Sequence, residues 1–249
     1  MTRRLAGPLI QVASVALIIG VWAVASQAAG HGVLPGPWHV AKAVESMIGD
    51  GSFAGPLGGS LLRTLGGFAG AMILGIGYGI AAARSRVFDE LTSSVFNVLL
   101  FAPTLVIVFV GLLALGFSSA WVVILITTVA VFPNVGVYMR DVMRHVDIDL
   151  VDMARSFHVT TARRIRDLYV PYLTPPLLSS SRIALNSSWK VVLLCEVFGF
   201  PGGLGFNIRN AYGAYNITLL LAWVVFFVAA LLIIEQVIRA CERVIVRWT

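Results

Sequence analysis

The sequence predicts an all-α polytopic membrane protein, and its composition and the lengths of its apolar runs carry that prediction. Of its 249 residues, 58% are hydrophobic and only 12% are charged, and the mean hydropathy is +0.89. Soluble globular domains carry about 25% charged residues, so this composition excludes them. The apolar residues also fall into runs of the length, about 20 residues, that crosses a bilayer as a helix.

Six transmembrane helices account for the whole chain and leave no room for a large soluble domain. The predicted spans cover about residues 9–29, 61–83, 95–115, 121–138, 177–198 and 217–238. The first run ends in a small-residue stretch, Ala25 to Gly30, of the kind at which signal peptides are cleaved. Its apolar core is longer than the usual length of about 7–15 residues, so we expect a retained first helix.

Residues 30–60 are expected to form a periplasmic segment. Pro35 and Pro37 exclude one continuous helix there. A short interfacial helix follows in the prediction, with Lys42 and Glu45 towards water and an apolar face of Val40, Val44, Met47 and Ile48.

Glycine spacing in the second span predicts close helix packing. Gly66, Gly70, Gly75 and Gly79 form small-xxx-small pairs, which let two helix backbones approach within lipid. No Lys-Ser/Thr pair follows them, so they do not form a phosphate-binding loop. Pro103 in the third span and Pro133 in the fourth are expected to kink their helices.

The basic residues fix the predicted orientation. Six spans place both termini, the turn at Arg84 and the polar segment 140–171 on one side of the membrane. That side holds thirteen arginines: Arg3, Arg4, Arg84, Arg86, Arg140, Arg144, Arg155, Arg163, Arg164, Arg166, Arg239, Arg243 and Arg247. The other side has Lys42, Arg63 and Arg209. The positive-inside rule makes the first side cytoplasmic. Membrane orientation therefore explains the net charge of +6 better than nucleic-acid binding does.

The polar segment 140–171 lies between the fourth and fifth spans and is predicted to form two short helices. Leu150, Met153, Ala154 and Phe157 recur at helical spacing, and Ile165, Leu168 and Tyr169 do so again after a break at 158–161. The hydroxyl of Thr160 or Thr161 is expected to cap the second helix. Pro171 is expected to end it, with Pro175 and Pro176 following.

This segment resembles the EAA loop of importer-type ABC permeases. The resemblance rests on Asp152-Met153-Ala154, then His158, then Val170-Pro171. Asp152 replaces the family's Glu and keeps its charge. His158 replaces a Gly that closes a helix in the left-handed conformation, where His is one of the few enriched non-Gly residues. The resemblance implies that these residues dock on a cytoplasmic ATPase: Asp152, Met153, Ala154, Arg155, Ser156, Phe157, His158 and Thr160.

The fifth span carries polar and charged side chains that lipid does not accept. A charge at mid-membrane costs about 2.5–3.5 kcal/mol on insertion scales, so it faces a water-filled cavity or a partner. Asn186, Trp189, Lys190 and Glu196 are the candidate pathway residues. Two interpretations of Lys190 stay open: it attracts an anionic substrate, or it forms a structural pair with Glu196 of the partner subunit.

The same span extends the resemblance. The family pattern of Arg, Ala-Leu, Trp and Glu, followed by Gly-Leu-Gly, matches these residues: Arg182, Ala184, Leu185, Trp189, Glu196, Gly203, Leu204 and Gly205. Physically, the glycine stretch reads as a flexible periplasmic connector. A Leu-Pro-x-Pro stretch from Leu34 is similar to that of permeases for nitrate, sulfonates and taurine.

The resemblance implies the permease subunit of an ATP-driven importer in the bacterial inner membrane. Such a subunit works by alternating access, receives a small solute, expected to be anionic, from a periplasmic binding protein, and pairs with a second permease. A homodimer is the first expectation, and the altered His158 leaves a heterodimer open. ATP and Mg²⁺ would bind the partner ATPase, and no cofactor is expected on this chain.

The alternatives are a self-contained secondary transporter or channel and, behind it, an enzyme. A secondary transporter is expected to show repeated halves with paired broken helices, and no convincing repeat is visible. For an enzyme, the four histidines are scattered and no nucleophile motif stands out. Two cysteines give neither a disulfide framework nor a metal-spaced cluster. The substrate stays open.

Overall fold

The computed structural model describes residues 3–29 and 34–245, with side-chain surroundings for 13–29, 34–147 and 149–240. This part of the chain is all-helical and contains eleven α-helices. They are α1 Arg3–Ala29, α2 Pro37–Gly49, α3 Ala54–Arg84, α4 Arg86–Phe101, α5 Thr104–Leu115, α6 Ala120–Arg144, α7 Ile148–Ser156, α8 Thr161–Arg164, α9 Val170–Phe198, α10 Gly203–Gly213 and α11 Ile217–Ile245. A π-helical stretch, Ile165–Tyr169, joins α8 to α9.

Three helices of the described chain are each long and apolar enough to cross a membrane. They are Ala54–Arg84, Ala120–Arg144 and Ile217–Ala240, and two bent helix pairs raise the number to five. The described apolar part of the first helix, Ala13–Ala29, is shorter. The all-helical membrane class is thus confirmed, and the count of six spans stays a prediction.

Helices α3 and α6 form the centre of the structure through the predicted glycine contacts. A Cβ added at Gly75 would lie 2.6 Å from the Val135 Cβ, and one at Gly79 would lie 2.6 Å from the Met139 Cβ. Helix α9 packs against both of these helices, and their buried side chains form the main apolar core. The packing role predicted for these glycines is therefore confirmed.

The third predicted span is two helices rather than one kinked helix. Helices α4 and α5 meet at an angle of 101°. Ala102 is extended and Pro103 stands just before α5, because the residue that precedes a proline avoids the α conformation. Pro133 differs, since it is buried inside α6 and the helix continues across it.

The prediction that Pro171 ends a helix is wrong. The chain is helical from Thr161 through the π-helical stretch to Phe198, across Pro171, Pro175 and Pro176. Pro171 is the second residue of α9 and follows the π-helical stretch directly. The Thr174 hydroxyl donates to the Val170 carbonyl oxygen at 2.6 Å, which satisfies an acceptor near the prolines.

The interfacial helix of segment 30–60 corresponds to α2. Val40 and Met47 are buried against the body, while Lys42 and Glu45 are exposed. Ile48, expected on the buried face, is 57% exposed, because consecutive helical residues point about 100° apart and Met47 takes the buried position in this turn.

Candidate functional site

The short helix α7 leaves a row of apolar side chains in contact with solvent. Leu150, Met153 and Phe157 are 44%, 53% and 75% exposed. Asp147 begins the helix, and its Oδ1 accepts a hydrogen bond from the Asp149 N–H at 2.9 Å. The predicted helical spacing is therefore confirmed, and the apolar face it produces is open in this chain.

His158 ends this helix in the left-handed conformation expected from its position. Its φ is +53°. The His158 N–H donates to the Arg155 carbonyl at 2.9 Å, and the Val159 N–H donates to the Ala154 carbonyl at 3.0 Å. These two bonds form a Schellman turn, which satisfies carbonyls that the helix end would leave unpaired.

The remaining residues predicted to dock on an ATPase surround this turn and are mostly exposed. Asp152 pairs with Arg155 at 3.0 Å, and the Ser156 hydroxyl donates to the Asp152 carbonyl at 3.0 Å. The predicted hydroxyl cap of α8 is wrong. Thr160 holds the cap position without a side-chain hydrogen bond, and the Thr161 hydroxyl accepts from Arg164 instead.

The base of the segment 140–171 is attached to the helical body at two points. The Tyr172 hydroxyl donates to the His145 carbonyl at 2.9 Å, which links α9 to the end of α6. Arg140 and Arg144 at the end of α6 both bind the Asp89 carboxylate of α4, at 3.1 and 2.8 Å. Both ends of the segment are therefore fixed to the helical body.

The stretch that follows the turn carries paired charges. The hydrogen bond from Arg166, together with one from Arg163, holds the pKa of the exposed Asp167 carboxyl below its usual range. Asp167 is therefore ionised at neutral pH, and this stretch carries paired charges on its surface.

One face of α9 is open along the described length of the helix. Tyr172, Ser179, Ile183 and Lys190 are exposed, and Asn186 between them is half-buried. The Asn186 amide donates to the Arg182 carbonyl one turn earlier at 3.0 Å. Lys190 makes no ion pair with any residue that the structure describes. The face thus combines an amide, a hydroxyl and a cation, which are unsuited to lipid.

Trp189, predicted on the same stripe, faces the other way. It is 1% exposed, stacks on Phe227 at 5.2 Å between ring centroids, and its indole N–H donates to the Phe227 carbonyl at 3.3 Å. Trp189 and Lys190 are therefore not brought together, because consecutive helical residues point about 100° apart.

Glu196 lies in a buried polar cluster that joins three helices. Its carboxylate is 0% exposed. The Ser60 hydroxyl donates to it at 2.8 Å and the Arg63 guanidinium at 2.7 Å, both from α3. The Gly205 N–H of α10 donates to it at 2.9 Å. Within this chain Glu196 pairs with Arg63, and the alternative of a pair between Lys190 and Glu196 of a second subunit stays a hypothesis.

The stretch from Gly203 is the beginning of a helix, and the prediction of a flexible connector is wrong. Gly203 has φ +89°, and a Cβ there would overlap the Glu196 carboxylate. A Cβ at Gly205 would lie 2.6 Å from the Leu193 carbonyl oxygen. Glycine at these positions lets the first turn of α10 approach the carboxylate, and a helix N-terminus favours a negative charge.

Sequence reasoning missed Ser60 and Arg63. A signal for Arg63 was present, because it lies just inside the second predicted span, where the cost of a membrane charge implies a partner. Ser60 had no such signal, since a serine is compatible with any helix surface.

Comparison with known proteins identifies the family of this chain. Residues 73–247 match the family described as the binding-protein-dependent transport system inner membrane component. A probable ABC transporter permease protein of Brucella melitensis is 26% identical over 248 residues, which cover 100% of both chains. A putative aliphatic sulfonates transport permease of Bacillus subtilis is 26% identical over 94% of this chain and 85% of its own.

The fold is also similar to that of a protein of known structure. A chain of the MetNI methionine ABC transporter in an inward-facing conformation superposes with a TM-score of 0.62 at 18% identity, over 76% of this chain and 92% of that one. The family match spans well over half of the sequence. The chain therefore belongs to the family of binding-protein-dependent transport system inner membrane components, the multi-pass permeases of ABC importers.

Proposed function

We propose that this chain is the permease subunit of an ATP-driven importer and that α7 couples it to a separate ATPase. The observation that carries this proposal is the open apolar face of Leu150, Met153 and Phe157 on a helix outside the predicted spans. A short amphipathic helix with such a face binds a hydrophobic groove on a partner. The Schellman turn at His158 holds the face in a fixed orientation.

The attachment of the loop supports a mechanical role. The helix that follows the turn continues into α9 without interruption, and α6 enters the loop from the other side. A displacement of α7 by an ATPase would therefore act directly on two helices of the core. In the proposed cycle, ATP-driven closure of the two ATPases moves the loops together and opens the permease outward, and hydrolysis returns it inward.

The proposed solute is a small anion delivered by a periplasmic binding protein. Lys190 supplies a cation on the open face of α9 that pairs with none of the described residues, and the Bacillus subtilis relative is named for aliphatic sulfonates. In a homodimer, which we propose over a heterodimer, the open faces of two copies would line one pathway. ATP and Mg²⁺ would bind the ATPase subunits, and both termini of this chain would be cytoplasmic.

Co-purification tests the proposal. The tagged chain is extracted from its native host in mild detergent, and mass spectrometry quantifies the accompanying proteins. An ATPase subunit is expected in stoichiometric amount. Phe157→Ser should reduce it at least about tenfold, because burying an aromatic ring is worth about 1.5–3 kcal/mol.

Tyr215→Asn provides the matched control. Tyr215 is also an exposed aromatic residue, but it precedes α11, far along the chain from α7. Asn tolerates its positive φ of +54°. This variant should retain the ATPase. An intact permease that carries no ATPase, or a Phe157→Ser variant that carries as much as the wild type, would contradict the coupling assignment.

A further inference from the structure

The buried polar cluster at the outer end of α9 has the properties of a permanent joint. We define the outer joint as Ser60 and Arg63 of α3, Glu196 of α9, and the Leu204 and Gly205 N–H groups of α10. The Ser60 hydroxyl donates to both Glu196 oxygens, at 2.8 and 2.9 Å, and accepts from the Leu204 N–H at 2.9 Å. One side chain thus links all three helices.

The joint is too well satisfied to open during a transport cycle. Arg63 donates to Glu196 through Nε at 3.1 Å and a terminal nitrogen at 2.7 Å, and its guanidinium lies 4.5 Å from the Phe200 ring centroid. Separating the helices would leave a carboxylate and a guanidinium without partners in apolar surroundings, which is strongly unfavourable.

Close packing of two glycines against Glu196 also stabilises the joint. Gly203 and Gly205 approach Glu196 so closely that neither position has room for a Cβ. The first turn of α10 is therefore fixed against α9 in one orientation. Since α3 is packed along α6 through its glycines, the joint connects the start of α10 to the same body.

We propose that Ser60 and Arg63 are positioning residues for transport, which keep α10 rigidly attached to α3 and α9 while the permease changes state. The inference rests on the proposed coupling function. Helix α9 is continuous from the segment beside α7 to the outer joint. A displacement of the end of α9 nearest α7 is therefore transmitted to α10 without passing through a flexible loop. Lys190 lies on the same helix, less than two turns before Glu196.

Distance measurements between spin labels test the joint without knowledge of the solute. Labels are attached at Leu62 on α3 and Tyr212 on α10, which are 72% and 74% exposed. Cys241→Ser removes one native thiol, and Cys195 is fully buried. The complete transporter, with its co-purified ATPase, is measured without nucleotide and after trapping with ATP and vanadate.

In the wild type, the Leu62–Tyr212 distance should be the same in both states. Ser60→Ala removes the hydroxyl that links α3 to α10 and retains the Arg63–Glu196 pair, so the distance should then change on trapping. Thr64→Val is the control, because the buried Thr64 hydroxyl on the same helix makes no hydrogen bond within the part of the chain that the structure describes. If Ser60→Ala does not fold, Arg63→Lys is measured in its place. It keeps the positive charge but loses one of the two hydrogen bonds from Arg63 to Glu196.

The outcomes separate the joint from the coupling function. A wild-type distance that changes on trapping, or a Ser60→Ala distance that stays constant, overturns the inference. A role in folding alone would lower the yield of Ser60→Ala without a state-dependent distance. Failure of the wild type to trap nucleotide refutes the proposed coupling instead.

Discussion

The contact between α3 and α6 allows a prediction whose sign depends on which glycine is changed. Gly79→Ala places a Cβ 2.6 Å from the Met139 Cβ and 2.9 Å from the Arg140 backbone nitrogen, where ordinary contacts are 3.4–4 Å. Neither atom can move away by a rotamer change, because a Cβ and a backbone nitrogen are fixed by the helix. The two helices must therefore separate locally by roughly 1 Å, and overpacking of this kind costs about 1–3 kcal/mol.

Gly77→Ala is the matched control on the same helix. A Cβ there meets nothing within 4 Å. Replacing Gly by Ala within a helix stabilises it by about 0.5–1 kcal/mol through the lower entropy of the unfolded chain. Gly79→Ala gains the same amount and loses the packing cost, so the two variants should differ by about 1–3 kcal/mol.

Equilibrium unfolding in mixed micelles, followed by circular dichroism, measures both free energies of unfolding against the wild type. Gly77→Ala should be neutral to stabilised, and Gly79→Ala should be destabilised. Equal shifts for the two variants would refute the argument that close backbone contact, rather than helix propensity, explains these glycines.

Three further predictions concern the loop and the pathway. Asp152→Arg should abolish transport without loss of membrane insertion, because it reverses a charge on α7, the proposed docking helix. Uptake and membrane yield are compared, and unchanged uptake would contradict the proposed docking role. His158→Gly should stabilise the turn by up to about 1 kcal/mol, because Gly adopts positive φ without strain. Slower hydrogen exchange of the Val159 amide would show this, and unchanged exchange would remove the strain argument. Lys190→Met should raise the KM for an anionic solute and leave ATP hydrolysis intact, whereas wild-type kinetics would make Lys190 structural.

The membrane class and the packing of α3 could be predicted because composition and small-residue spacing act locally. The turn at His158 could be predicted for the same reason, since the requirement for positive φ belongs to one position in the chain. The helical spacing of Leu150, Met153 and Phe157 could also be predicted, whereas their exposure to solvent could not.

The features that could not be predicted from the sequence depend on contacts between distant segments. Nothing near Pro171 in the sequence shows that a π-helical stretch precedes it and lets the helix continue. The partners of Glu196 are 133 and 136 residues away, so its pairing with Arg63 and Ser60 could not be inferred from spacing. For the same reason Gly203 and Gly205 looked like a connector, although they form the first turn of a helix against that carboxylate.

The ATP dependence of solute uptake tests the central claim most directly. The purified permease, with the ATPase and binding protein that accompany it, is reconstituted in lipid vesicles, and uptake of an aliphatic sulfonate is measured with ATP, without ATP and with a non-hydrolysable analogue. The account predicts uptake only with hydrolysable ATP and its loss in Phe157→Ser. Uptake that proceeds equally without ATP, by the permease alone, would contradict it and would identify a self-contained carrier.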